Sequence, residues 1–95
     1  LIQPVDGPSI YKEFLTAHGE GLHHVLVEHH GKDFEAAIEA FSARGCPPLM
    51  EGRIGEVRFA YFDTEGPLRT VLEIADRPKG FVRPDPDYWY PHPPQ

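Results

Sequence analysis

The sequence predicts an α+β fold in which one helix is followed by a strand, a second helix and three more strands. Three observations carry this expectation. Residues 34–41 place Phe34, Ala37, Ile38 and Phe41 at i, i+3, i+4 and i+7, one face of a helix. Short β-favouring runs at Val25-Leu26-Val27, Arg58-Phe59-Ala60-Tyr61-Phe62 and Thr70-Val71-Leu72 are too short for helices of their own. Glycine and proline punctuate the intervals between these runs. A chain of 95 residues, 40% hydrophobic and 25% charged, bounds the answer to one domain of ordinary globular composition.

Each element has local reasons. Leu1-Ile2-Gln3-Pro4-Val5 reads as a strand end, stopped by Asp6-Gly7-Pro8. Residues 9–18 form a linking helix with Ser9 as its N-cap, and Tyr11, Phe14, Leu15 and His18 share a face. Gly19 and Gly21 end it. The first strand of the module spans residues 22–28. Strand alternation puts His24, Leu26 and Glu28 on one face, and His23, Val25, Val27 and His29 on the other. Asp33 caps the crossover helix, which Arg44 and Gly45 close. Strands follow at residues 49–53, 57–63 and 69–75, joined by a hairpin between Gly52 and Gly55 and a turn at Thr64-Glu65-Gly66-Pro67.

The chain therefore divides into a strand end and linker helix (1–18), a βαβββ module (19–79) and a C-terminal tail (80–95). Pro84, Pro86, Pro91, Pro93 and Pro94, with Pro78 just before them, make that last stretch extended or irregular, with Tyr88-Trp89-Tyr90 embedded in it. Disordered segments are poor in aromatics, so the tail is expected to dock on folded protein with Trp89 largely buried.

Composition excludes several function classes. Nine basic against 15 acidic residues give a formal charge of −6, with no basic stripe for nucleic acid. No apolar run approaches the roughly 20 residues of a membrane span. One cysteine, Cys46, excludes an internal disulfide framework; before Pro47-Pro48 it reads as a turn thiol, and a reducing, cytoplasmic setting is expected.

Two residues stand out chemically. His24 and Glu73 are polar positions inside apolar strands. A carboxylate within Val71-Leu72-Glu73-Ile74 either faces solvent or needs a partner, because an unpaired buried charge is costly. The partnered alternative is a shared concave face on which imidazole and carboxylate hold a divalent cation. Glu28-His29-His30 invites a metal reading too, but a strand end running into a solvated loop explains it more simply. His18 and His92 read as surface residues.

Four stretches in order carry a resemblance. Gly19-Glu20-Gly21-Leu22-His23-His24-Val25 resembles the G-x-G-L-H-H opening of the second module in methylmalonyl-CoA epimerase-like and glyoxalase-like proteins. Residues 34–45 resemble the helix that follows it. Arg58-Phe59-Ala60-Tyr61-Phe62-Asp63-Thr64 and Val71-Leu72-Glu73-Ile74 resemble its later strands. Together these cover residues 19–75 and are similar to the vicinal-oxygen-chelate superfamily, which includes glyoxalases, bleomycin-resistance proteins and extradiol dioxygenases.

The resemblance implies that the module forms half of a cupped mixed sheet. It implies His24 and Glu73 as metal ligands, Glu73 also as the proton-transferring group, and a divalent cation (Zn, Co, Ni, Mn or Fe) as cofactor. A second module or a homodimer partner would complete the site. Leu1-Ile2-Gln3-Pro4 resembles the end of a preceding module, whose own ligands are expected before Leu1. The function implied is a glyoxalase- or epimerase-like lyase or isomerase, acting on a small carbonyl or acyl substrate through an enolate-type intermediate. An Fe(II) extradiol-type dioxygenase and a non-catalytic, resistance-type binding protein are the alternatives.

Overall fold

A computed structural model describes residues 1–29 and 33–94. Its order is α1 (Ile10–His18), β1 (His24–Leu26), α2 (Phe34–Ala43), β2 (Pro48–Ile54), β3 (Val57–Phe62), α3 (Glu65–Leu68) and β4 (Val71–Asp76). The four strands make one mixed sheet in the order β1-β4-β3-β2. β1 runs parallel to β4, while β4, β3 and β2 are antiparallel neighbours. This is the expected α+β fold with a βαβββ module.

The helices start where side chains can satisfy their first backbone donors. Ser9 accepts from the Lys12 N–H, and Asp33 accepts from the N–H groups of Glu35 and Ala36. Gly45, at φ 82, follows the end of α2 in a conformation that other residues adopt at a cost. α2 packs Phe34 and Ala37 against Ala60, Phe62 and Ile74 of the sheet, with Val27, Ile38 and Phe41 around them. Phe41 stacks on Phe62, ring centroids 4.1 Å apart. Arg58 reaches over the Phe34 ring and pairs with Glu35 at 2.6 Å, tying the start of α2 to β3.

Strand alternation sorts the sheet into two faces. Ala60, Phe62 and Ile74 point at α2, so Phe59, Tyr61 and Glu73 occupy the opposite face. α1 lies over that second face through Tyr11 and Phe14. Gly55, at φ 58, opens the two-residue turn between β2 and β3.

Several expectations are corrected. Residues 1–5 form no strand, and Leu1, Ile2 and Val5 are exposed. They pair with no other strand, and Pro4 has no N–H to offer one. β1 is three residues long rather than seven, because as an edge strand it has one neighbour to hold it. The turn at residues 64–67 is instead the start of a short helix, with Thr64 preceding it. The described residues of the tail form no helix or strand, in keeping with an extended or irregular stretch, but Trp89, expected to be largely buried, retains 39% exposure between the more exposed Tyr88 and Tyr90. Its prolines remove the backbone donors with which the tail could join a sheet edge. No described helix is long and apolar enough to cross a membrane.

Thr64 closes the β3–β4 connection. Its side chain is 1% exposed; the hydroxyl donates to the Thr70 carbonyl at 2.7 Å and accepts from the Leu72 N–H at 2.9 Å. Thr64→Val keeps the shape and leaves that N–H unpaired, so unfolding free energy should fall by about 1–3 kcal/mol in urea denaturation. An unchanged midpoint would show that water or a shifted backbone replaces the hydroxyl.

Candidate active site

Register brings His24 and Glu73 together. In the parallel β1–β4 pair, His24 lies opposite Val71 and Leu26 opposite Glu73, so the two polar residues share the face turned away from α2. Their side chains meet, His24 Nε2 to Glu73 Oε2, at 3.1 Å, and are 18% and 16% exposed. Tyr61 stands directly across from Glu73 on β3 and is 3% exposed. Its ring is edge-on to His24 at 4.8 Å, and its hydroxyl shares a 2.6 Å hydrogen bond with that of Tyr11.

His23 is displaced from the place alternation gave it. The strand begins only at His24, so the two-residue period does not yet bind the position before it. Its Nδ1 lies 2.8 Å from His24 Nδ1, and its ring packs on Tyr11 and Phe14 of α1. Sequence reasoning missed Tyr11 and Tyr61 as neighbours of the site. Tyr61 shares a strand face with Val57 and Phe59, and that pattern could have placed it across from Glu73; nothing in the sequence points Tyr11 toward it.

Glu28 is exposed, and His29 donates from Nε2 to the Ala75 carbonyl at 3.1 Å, edge-on to Phe34. The third member of that trio, His30, lies outside the described residues. His18 is exposed and packs on Phe14, while exposed His92 bonds to the neighbouring Pro93 carbonyl.

Burial sets the electrostatics. Loss of water pushes the His24 imidazole below its ordinary pKa and the Glu73 carboxyl above it, although Arg77 partly opposes the second shift. His23 is lowered by burial and then by His24, against a backbone hydrogen bond at Ile10 and the Glu65 charge, which both raise it. Burial, the hydrogen bond with Tyr11 and the nearby Glu73 charge keep the Tyr61 phenol protonated.

The pair fits a divalent cation. Nitrogen and oxygen ligands about 2.0–2.2 Å from a metal stand about 3.0–3.5 Å apart at tetrahedral or octahedral angles. The observed 3.1 Å falls within that range. Among the described residues, no group of three or more His, Cys, Asp or Glu is placed to hold a metal ion, so these two would supply part of a coordination shell.

A raised carboxyl pKa destabilises the fold once the group ionises. Below the ordinary value of 4.5 Glu73 is protonated in both folded and unfolded chains, and the cost vanishes; it grows as pH rises through the folded pKa. Glu73→Gln should therefore raise the thermal unfolding midpoint at pH 7 in the presence of a chelator. That gain should disappear below pH 4.5. A lower midpoint at pH 7 would mean that the ionised carboxylate is stabilising where it stands.

No protein-family model matches this chain, and comparison with the curated proteins finds no match either.

Proposed function

We propose that the chain is a vicinal-oxygen-chelate module whose His24 and Glu73 hold a divalent cation, and that it transfers a proton next to the carbonyl of a small carbonyl or acyl substrate. The observation that carries this reading is the 3.1 Å approach of His24 Nε2 to Glu73 Oε2 on one face of adjacent strands. A bound divalent cation would supply Lewis-acid stabilisation of the negative charge that develops on the substrate oxygen.

The chain's own residues supply the rest. His24 is a neutral ligand, since burial disfavours its protonated form. Glu73 presents one carboxylate oxygen toward His24 and leaves the other to take a proton from the substrate and return it. Tyr61, Phe59 and the covering Tyr11 form an aromatic wall that keeps water from the pair.

Two ligands leave room for others, and a second module or a homodimer partner is the proposed source. Leu22, Val25 and Leu26 are exposed on and beside the edge strand that carries His24, an apolar border that a partner would cover.

Zinc titration of the full chain by calorimetry tests the reading. Wild type should bind zinc, and His24→Ala and Glu73→Gln should each weaken binding at least about a hundredfold, the upper end of what loss of a mere supporting residue costs. Deuterium exchange into the α-position of small acyl thioesters and 2-oxo compounds, followed by NMR, should fall in parallel. Equal zinc binding by wild type and His24→Ala would remove the basis of the proposal.

A further inference from the structure

The chemistry proposed above leaves His23 without a role, although its ring stands between helix α1 and the His24 ligand. Its Nδ1 is 2.8 Å from His24 Nδ1. Its ring centroid lies 5.3 Å from that of Tyr11 and 5.3 Å from that of Phe14, edge-on to the latter. The two aromatic contacts fix the plane in which the His23 nitrogens point.

A neutral imidazole has one donor and one acceptor nitrogen. His24 uses both, Nε2 toward Glu73 and Nδ1 toward His23. Two proton arrangements satisfy the bond between the two rings. In the first, His24 Nε2–H donates to Glu73 and His23 Nδ1–H donates to His24. In the second, His24 carries its proton on Nδ1 and donates it to His23, whose own proton then sits on Nε2. In the second, the 3.1 Å contact with Glu73 is satisfied only when a cation, or a proton on the carboxyl, lies between the two atoms. The two arrangements differ at His24 Nε2, which bears a hydrogen in the first and a bare lone pair in the second. A cation needs the lone pair.

We propose that His23 is a positioning residue: it accepts the Nδ1–H of His24, and so holds that ring with its Nε2 lone pair directed at Glu73, ready for a divalent cation. This rests on the metal reading of the site. Ligand histidines are generally held this way through their second nitrogen, by a carboxylate, a carbonyl or water. Here the acceptor is the adjacent residue in the chain. The same contacts connect α1 to the ligand, since Tyr11 and Phe14 orient His23, which orients His24.

Two variants separate the hydrogen bond from the packing. His23→Phe keeps a ring between Tyr11 and Phe14 but has no acceptor. His23→Asn gives up the ring but places an amide oxygen near the former Nδ1. In zinc titrations of the full chain, His23→Phe should bind about ten- to a hundredfold more weakly than wild type, and His23→Asn should recover most of that loss. Nitrogen-15 NMR of zinc-loaded wild type should show His24 protonated on Nδ1, a readout that requires no variant to fold. His23→Phe binding zinc like wild type, or His24 protonated on Nε2 in the zinc-loaded protein, would overturn the inference. If His24→Ala and Glu73→Gln lose zinc while His23→Phe keeps it, this inference fails and the metal reading stands. If none of the three differs from wild type, both fail.

Discussion

The seat of Ile74 in the core governs the position of everything chemically interesting in this chain. Ile74 is 1% exposed, packed with Ala60 and Phe62 beneath α2. Because a strand alternates its side chains, burying Ile74 on that side turns Glu73 to the other. A slip of one residue in the β3–β4 register would exchange the two and drive a carboxylate into the core. The aromatic stack of Phe41 on Phe62 and the clamp of Arg58 over Phe34 oppose such a slip from the helix side. Thr64 opposes it from the connection, where its hydroxyl holds both Thr70 and Leu72. The hydrophobic core thus performs a positioning task for residues that do not belong to it.

That dependence explains which features were legible in the sequence. α2 was read correctly because its cap, its apolar face and its closing glycine are all local to residues 33–45. The orientation of β3 and β4 followed from alternation, but alternation alone left Glu73 facing either solvent or a partner, and its pairing with His24 was an implication of the resemblance. Features that depend on a neighbour were harder. The length of β1 depends on what its single neighbour can hold, and seven expected residues became three. Residues 1–5 carry a strand's composition without a strand's partner. His23 was misplaced because alternation was applied one residue before the strand starts. The Tyr11–Tyr61 contact joins residues 50 apart in the chain, a distance that no local pattern spans. Trp89 was expected to be buried on composition alone, and composition does not supply a surface to dock on.

The site also shows a tension between stability and chemistry. An imidazole and a carboxyl brought out of water disfavour their charged forms, as the opposite shifts of His24 and Glu73 record. A well-packed apolar pair in the same place would suit the fold better. The aromatic side chains around the pair deepen the desolvation and also keep the two groups rigid. The surroundings that make the pair expensive for folding are those that make it useful for binding a cation or moving a proton.

The three-residue strand β1 gives this arrangement an unequal mechanical character. His24 is attached to the sheet by one short parallel ladder, extended by the bond from the Val27 N–H to the Glu73 carbonyl at 2.9 Å. Glu73, between β1 and β3, is held on both sides. The two halves of the pair therefore belong to regions of different local stability, and the edge can fray while the central strands stay closed. Anything that bridges His24 and Glu73 acts as a rivet across that weakest seam. Its effect would be concentrated at the amides of residues 25–27, and the interior strands would register little of it.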